Sequence, residues 1–152
     1  MDQDAFRSTY RAVNERFCAY EKAILTNSAS CPLAHRFCIA EREGVHCGSD
    51  AAQASCIELL ELLRCQARFA LKTRDDRSAL PHAKAMRIQV GGLRGIAAVL
   101  NPQEPVPARI QDIRGIVEAA IAAFGSLERM PFQEIIKQIA AYQGRRRLGS
   151  RT

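Results

Sequence analysis

Four of the six cysteines in this chain lie close together in the sequence, in the stretch CPLAHRFCIAEREGVHCGSDAAQASC. They are Cys31, Cys38, Cys47 and Cys56, and their spacing is C-x6-C-x8-C-x8-C. Thiolates are the preferred ligands of zinc and of iron–sulfur clusters. The spacing has no C-x2-C pair, the usual mark of a structural zinc site, and it matches neither ferredoxin pattern. The stretch therefore predicts a metal or cluster site that follows no common motif.

The distance between the first two of these cysteines favours a cluster over a single ion. If residues 32–43 form a short helix, Cys31 and Cys38 lie within about 20° of one line along it and about 10.5 Å apart. Two thiolates on one zinc ion are at most about 4.6 Å apart. An iron–sulfur cube binds each thiolate at a different corner and accepts wider spacing. The predicted site is a [4Fe–4S] cluster held by all four cysteines, with Cys47 in a loop and Cys56 on the next helix.

A zinc site is the alternative form of the same prediction. His35 follows Cys31 by four residues and precedes Cys38 by three, so all three would share one helical face. Imidazole is a good zinc ligand, and Cys47 would complete a Cys3His set. In that arrangement zinc would stabilise the short helix and the loop of an interaction protein.

Two further interpretations need no metal. Free cysteine packs like a small hydrophobic residue, and Cys56 fits that role on the apolar face of its helix. A pair of redox-active or sensing thiols is also open. The last two cysteines, Cys18 and Cys65, are predicted to be structural or peripheral, although either could replace one of the four ligands.

The composition is that of a soluble globular protein, with 47% hydrophobic and 25% charged residues. The N-terminal residues lack the basic region and apolar run of a secretory signal. The longest apolar runs are too short to cross a bilayer. These features predict a cytoplasmic protein without a membrane contact, and cytoplasmic thiols are normally reduced rather than paired in disulfides.

The positive charge is concentrated at the C-terminus. The formal net charge is +6, and the last nine residues, GRRRLGSRT, contain four arginines and no acidic residue. A solvated, flexible tail is the ordinary interpretation of such an end. Docking on an acidic protein partner or on nucleic acid is the alternative.

Apolar residues recur at three- and four-residue spacing along most of the chain, which predicts an all-α protein. We expect a single-domain antiparallel bundle of about five to six helices over residues 1–143, including the short cysteine-bearing helix and its loop, followed by a basic tail at 144–152. The first helix carries the stripe Phe6, Tyr10, Val13, Phe17, Tyr20 and Ile24. Later helices are expected from Ser49 or Asp50 to about residue 72, from Pro81 to Leu100, from Ile110 to Gly125, and from Pro131 onward.

Three glycines interrupt the expected fourth helix, at Gly91, Gly92 and Gly95. Glycine costs about 1 kcal/mol relative to alanine inside a helix, so it usually marks a close packing contact. The segment does not follow a strand and lacks the G-x-G-x-x-G spacing of a dinucleotide site. Close approach of a second helix is the expected reason.

The sequence shows no nucleophilic triad, no phosphate-binding loop and no other constellation for chemistry on an organic substrate. The function predicted from the sequence is therefore binding of an iron–sulfur cluster, for electron transfer to a larger redox enzyme or accessory support of one. The alternative is a zinc-stabilised adaptor that binds an acidic partner or nucleic acid through its arginine tail.

Overall fold

The computed structural model describes residue 14 and residues 16–72 and 79–144, and these form a mixed α/β fold. The helices are α1 (Glu21–Leu25), α2 (Asp50–Gln66), α3 (Arg68–Leu71), α4 (His82–Met86), α5 (Gly92–Leu100), α6 (Ile113–Phe124) and α7 (Phe132–Ala141). A π-helical turn, Arg87–Gly91, joins α4 to α5, and a 3-10 turn, Leu127–Arg129, follows α6. The strands β1 (Ala34–Ile39) and β2 (Arg42–Cys47) form a two-stranded antiparallel sheet.

The prediction of an all-α protein is wrong, because the predicted short helix at 32–43 is a β-hairpin. Its register runs from Ala34 opposite Cys47 to Ile39 opposite Arg42. The two residues at the tip, Ala40 and Glu41, have φ of 48° and 73°. A two-residue hairpin turn of this kind normally uses Asn or Gly, because other residues are strained there. Good helix formers at the tip made the sequence look helical, and pairing with the rest of the fold overrides that preference.

In the described part of the first predicted helix, residues 16–18 are extended rather than helical. Phe17 forms an antiparallel bridge with His46 of β2, so residues 16–18 lie along β2 on the side away from β1. Helix α1 then covers only Glu21–Leu25. The earlier members of the predicted stripe, at residues 6, 10 and 13, lie outside the described residues, and so do residues 145–152 of the predicted tail.

Helices are present in each of the regions predicted beyond the hairpin, but the one expected to reach residue 72 is divided into α2 and α3, and the one expected from Ile110 begins at Ile113. Ser49 accepts a hydrogen bond from the backbone N–H of Ala52 and so begins α2 as a side-chain cap. Asp112 caps α6 in the same way through Gly115, and Gly125 ends it. The loop between α5 and α6 contains the proline-rich stretch 101–107, and these two helices pack against each other.

The predicted close packing at the glycines is confirmed as well. A side chain at Gly95 would lie 2.6 Å from the backbone oxygen of Ile135, and one at Gly91 would lie 2.7 Å from Cα of Ile139. Both contacts are with the backbone of α7. The glycines thus let the π turn and α5 approach α7 more closely than alanine would permit.

One hydrophobic core is shared by the helices and the inner face of the sheet. Its fully buried side chains are Tyr20, Val45, Leu59, Leu63, Val90, Leu93, Ile96, Ile113, Val117, Ile135 and Ile139. Helix α1 is tied to this core by Gln89 of the π turn, whose Oε1 accepts a hydrogen bond from the backbone N–H of Ala23 at 3.0 Å. Among the described residues, no helix is both long enough and apolar enough to cross a bilayer.

Candidate functional site

Four cysteines from four separate segments line one small cavity between the sheet, α2 and α6. They are Cys18, Cys31, Cys47 and Cys56. The cavity has a volume of about 20 Å³, which is room for about one water molecule. Three of the four predicted ligands therefore come together, and Cys18 joins them.

Cys18 is placed by the extended segment that runs beside β2. Its backbone N–H donates to the carbonyl of Val45 at 2.9 Å, and the N–H of Cys47 donates to the carbonyl of Arg16 at 2.8 Å. Gln53 of α2 fixes the same segment from another side, because its Nε2 donates to the carbonyl of Phe17 at 2.9 Å. These bonds hold Cys18 next to Cys47.

Cys31 is placed by a short parallel pairing with the residues that precede α6. The N–H of Ser30 donates to the carbonyl of Ile110 at 2.9 Å, and the N–H of Ile113 donates to the carbonyl of Ser30 at 2.9 Å. The Ser30 hydroxyl also donates to the carbonyl of Gln111 at 2.6 Å. This pairing brings Cys31 to the first turn of α6, where Arg114 lies.

Cys47 and Cys56 lie on either side of the turn that begins α2. Cys47 is the last residue of β2 and is buried, and its thiol donates to the carbonyl of Ser49 at 3.3 Å. Ser49 caps α2, and Cys56 follows about two turns into that helix. Cys47 was predicted in a loop and lies at the end of a strand instead, while Cys56 lies on the helix that follows.

Cys38, the remaining predicted ligand, lies away from the cavity. It is exposed and faces the same side of the hairpin as Ala34, but four residues nearer the tip. Four residues of strand correspond to about 13 Å. The structure therefore brings Cys31, Cys47 and Cys56 together and leaves Cys38 apart from them.

The alternative ligand His35 is exposed on β1 and faces the other side of the hairpin from Cys38. Its ring lies 6.5 Å from that of His46, which is its cross-strand neighbour. The shared helical face that suggested a Cys3His site does not exist, because the segment is a strand. Cys65, near the end of α2, is exposed and distant in sequence from the cavity-lining part of that helix.

Burial dominates the electrostatics of the thiols. It raises the pKa of Cys18 from 9.0 to about 12, and the neighbouring thiols of Cys56, Cys47 and Cys31 add to the rise. Burial likewise raises the pKa of Cys56 to about 12; Cys31 and Cys47 add to it, and the positive charge of Arg114 opposes it. Cys31 and Cys47 thus act on both buried thiols, as expected of side chains that line one cavity.

Two buried hydrogen-bond donors that line the cavity have no partner among the described residues. They are the hydroxyl of Tyr20, whose side chain is 0% exposed, and Nη1 of Arg114. Arg114 is held through Nε, which lies 2.8 Å from Oε1 of Glu118. Leaving a buried donor unsatisfied costs about 1–3 kcal/mol, and such groups are rare in folded proteins. Their presence indicates that the cavity accepts a hydrogen-bonding group.

Two helix N-termini face the same cavity. Ala52 and Gln53 from the first turn of α2 line it, and so do Ile113 and Arg114 from the first turn of α6. A helix N-terminus carries a partial positive charge and favours anions. Together with the guanidinium of Arg114, these helix ends make the cavity suited to a negatively charged group.

The cavity would have to rearrange to hold either a single metal ion or a metal cluster. Among the described residues, no three side chains of His, Cys, Asp or Glu form a group that could hold one metal ion. A cluster bound by four thiolates is an anion and needs its ligands on separate corners. A cube of eight atoms exceeds the present volume, so binding would require the thiol side chains to turn outward and the cavity walls to separate.

Three residues of this site were missed by sequence reasoning. Cys18 looked peripheral because the segment around it was taken for a helix, and Tyr20 looked like an ordinary member of the apolar stripe. Arg114 lies some sixty residues beyond the cysteines, and only the pairing of residues 28–30 with residues 110–113 brings it near. To place Cys18 at this site from the sequence, one would have had to recognise that residues 16–18 are extended and pair with β2.

The reactivity of the thiols provides a direct check of this geometry. In cluster-free protein at pH 8, we expect Cys38 and Cys65 to react promptly with a small aromatic disulfide, because both are exposed. A pKa of about 12 leaves Cys18 and Cys56 with about a thousandth of the thiolate fraction of an ordinary cysteine. A thiolate of higher pKa is more nucleophilic, which increases the reaction rate per thiolate roughly twentyfold. These two thiols should therefore react about fiftyfold more slowly.

Mass spectrometry of quenched samples identifies which cysteine has reacted at each time. In denatured protein all six cysteines should react at similar rates, which serves as the control. Reaction of Cys18 at the rate of Cys65 in the folded protein would contradict the placement of Cys18 in the cavity.

Comparison of the chain with protein-family models, with curated proteins and with solved structures gives no match in any of the three.

Proposed function

We propose that this chain binds one iron–sulfur cluster of the [4Fe–4S] type through Cys18, Cys31, Cys47 and Cys56. The observation that carries the proposal is that these four cysteines line one cavity together with two unpartnered buried donors. The ligand set differs in one residue from that predicted by the sequence, because Cys18 takes the place of Cys38.

The proposed role is electron transfer to a larger redox enzyme, or accessory support of that enzyme. Four cysteine ligands coordinate all four irons of a [4Fe–4S] cube, which leaves no iron open for a substrate. One electron would enter from a reductant and one would leave to the partner enzyme, with no bond made or broken. A cytoplasmic location is part of this proposal, since the ligands must be kept reduced before the cluster is inserted.

Structural zinc is the competing function. Zinc requires all four thiolates around a single ion at about 2.3 Å each. Among the described residues, no group of side chains is assembled in that way. With zinc bound, the role of the chain would be a protein interaction rather than redox chemistry. The two proposals therefore differ in the metal, in colour and in redox activity.

Anaerobic purification followed by metal and sulfide analysis tests the proposal. We expect a brown protein with about four irons and about four sulfides per chain, and an electron paramagnetic resonance signal after reduction. Reconstitution of the purified apoprotein with ferrous iron and sulfide should give the same product. A colourless protein with one zinc would select the competing function, and a protein that takes up neither metal would refute both.

A further inference from the structure

The two unpartnered donors in the cavity are the feature that binding by the four thiolates alone does not explain. Four cysteines suffice to ligate a cluster, and neither a tyrosine nor an arginine is required for it. Yet the hydroxyl of Tyr20 and Nη1 of Arg114 are both buried at the wall of the cavity without a partner among the described residues. Apolar residues of similar size would avoid this cost.

The fold positions each donor with some rigidity. Tyr20 is fully buried and immediately precedes α1, two residues after the ligand Cys18. Arg114 lies in the first turn of α6 and lines the cavity; its Nε is held by Glu118 one turn later, and its buried Nη1 has no partner among the described residues. The two donors therefore reach the cavity from two different elements.

The protonation states suit donation from both groups. A tyrosine hydroxyl, with an ordinary pKa of about 10, carries its proton at neutral pH. Arginine is always charged in proteins. Both groups are therefore donors at neutral pH, and both would be matched by the sulfur atoms of an anionic cluster.

We propose that Tyr20 and Arg114 donate hydrogen bonds to the sulfur atoms of the cluster or of its cysteine ligands, and thereby raise its reduction potential and help retain it. This inference rests on the proposed function. Hydrogen bonds to the sulfurs and nearby positive charge stabilise the reduced, more negative form of a cluster more than the oxidised form. Tyr20 and Arg114 are thus positioning and tuning residues, and the thiolates remain the ligands.

The test compares Tyr20→Phe and Arg114→Gln with matched variants that change the same residue types elsewhere. Tyr142→Phe removes a hydroxyl at the end of α7, and Arg109→Gln removes a charge from a half-buried arginine that donates to the carbonyl of Asn27. In redox titrations of the loaded proteins we expect both site variants to have a lower potential than the wild type. The arginine variant should show the larger decrease, because it loses a charge as well as a donor.

Stability without the cluster gives a second and independent result. In the apoprotein Tyr20→Phe removes an unsatisfied hydroxyl, so the folding equilibrium constant should increase about fivefold or more. A hydroxyl with an ordinary structural partner would give a decrease. The same variant should lose iron to a chelator faster than the wild type when loaded, so the substitution acts in opposite directions in the two forms.

The outcomes separate this inference from the function on which it rests. A wild type that binds no cluster refutes the proposed function and this inference with it. A wild type that binds a cluster, with potentials and iron retention unchanged in Tyr20→Phe and Arg114→Gln, refutes this inference alone. If both site variants fold and fail to retain iron while Tyr142→Phe and Arg109→Gln retain it, the inference is supported through retention.

Discussion

Replacement of Cys18 by serine is expected to abolish formation of a stable [4Fe–4S] cluster, whereas replacement of Cys38 is expected to leave it unchanged. Cys18 lines the cavity with Cys31, Cys47 and Cys56. Cys38 is exposed and lies about 13 Å along the strand from Ala34, toward the hairpin tip. Serine is nearly isosteric with cysteine but a far poorer ligand for iron in a sulfide cluster. This pair of variants therefore distinguishes the ligand set proposed from the structure from the one predicted by the sequence.

The complete series extends the same expectation. Cys31→Ser, Cys47→Ser and Cys56→Ser should behave like Cys18→Ser, each with less than about a tenth of the iron of the wild type after anaerobic reconstitution. Cys65→Ser should behave like Cys38→Ser, because Cys65 is also exposed. Iron and sulfide content and visible absorption provide the measurement, with circular dichroism to show that each variant is folded.

Two results would contradict the expectation in different ways. Loss of the cluster in Cys38→Ser but not in Cys18→Ser would restore the ligand set predicted from the sequence, and would require the hairpin to fold back toward the cavity. Retention of the cluster in every single variant would show that these cysteines are not its ligands. The double variant Cys38→Ser, Cys65→Ser keeps only the four cavity cysteines and should load fully.

The helical part of the fold was predictable because its signals are local. The cap at Ser49, the proline at the start of later helices and the three- and four-residue apolar spacing all act within one or two turns. The glycines of the π turn and α5 were also interpretable locally, since glycine inside a helix needs a packing reason. Each of these predictions depends on residues that are close in sequence.

The hairpin was not predictable in the same way. Its tip, Ala40 and Glu41, has a conformation that neither residue favours, and the strands alternate only weakly between apolar and polar residues. The strands are held instead by contacts from outside the hairpin. Residues 16–18 pair with β2, and Arg36 donates to the carbonyl of Ile24 at 2.8 Å. Such long-range contacts override local propensity, and they cannot be predicted from the local sequence of the hairpin.

The same distinction applies to the site. Cys31, Cys47 and Cys56 were found because several cysteines close together in a sequence indicate a site by their type and spacing. The geometric argument that linked Cys31 to Cys38 assumed a helix and failed with it. Tyr20 and Arg114 have no special spacing, and their significance depends on burial without a partner, which only the folded chain reveals.

Gly95→Ala is expected to destabilise the protein by about 2 kcal/mol or more while leaving the cluster site intact. The added methyl group would lie 2.6 Å from the backbone oxygen of Ile135 and 2.9 Å from its Cα, so α5 and α7 must move apart. Overpacking of this kind typically costs 1–3 kcal/mol, and more where the contacting atoms are backbone. The cost exceeds the roughly 1 kcal/mol that alanine gains over glycine inside a helix. A decrease in Tm of roughly 4–8 °C is the corresponding thermal signal.

Gly144→Ala is the matched control, because nothing lies within 4 Å of the added methyl group and stability should change by less than about 0.5 kcal/mol. The closest atom to a side chain at position 95 belongs to the backbone, so shortening Ile135 to alanine should not rescue Gly95→Ala. Below its lower Tm, Gly95→Ala should still take up the full amount of iron, since α5 and α7 do not line the cavity. Together with the cysteine series, this variant separates loss of stability from loss of ligands. Gly95→Ala should lower stability and keep iron uptake, whereas the serine variants of the cavity cysteines should keep the fold and lose iron uptake.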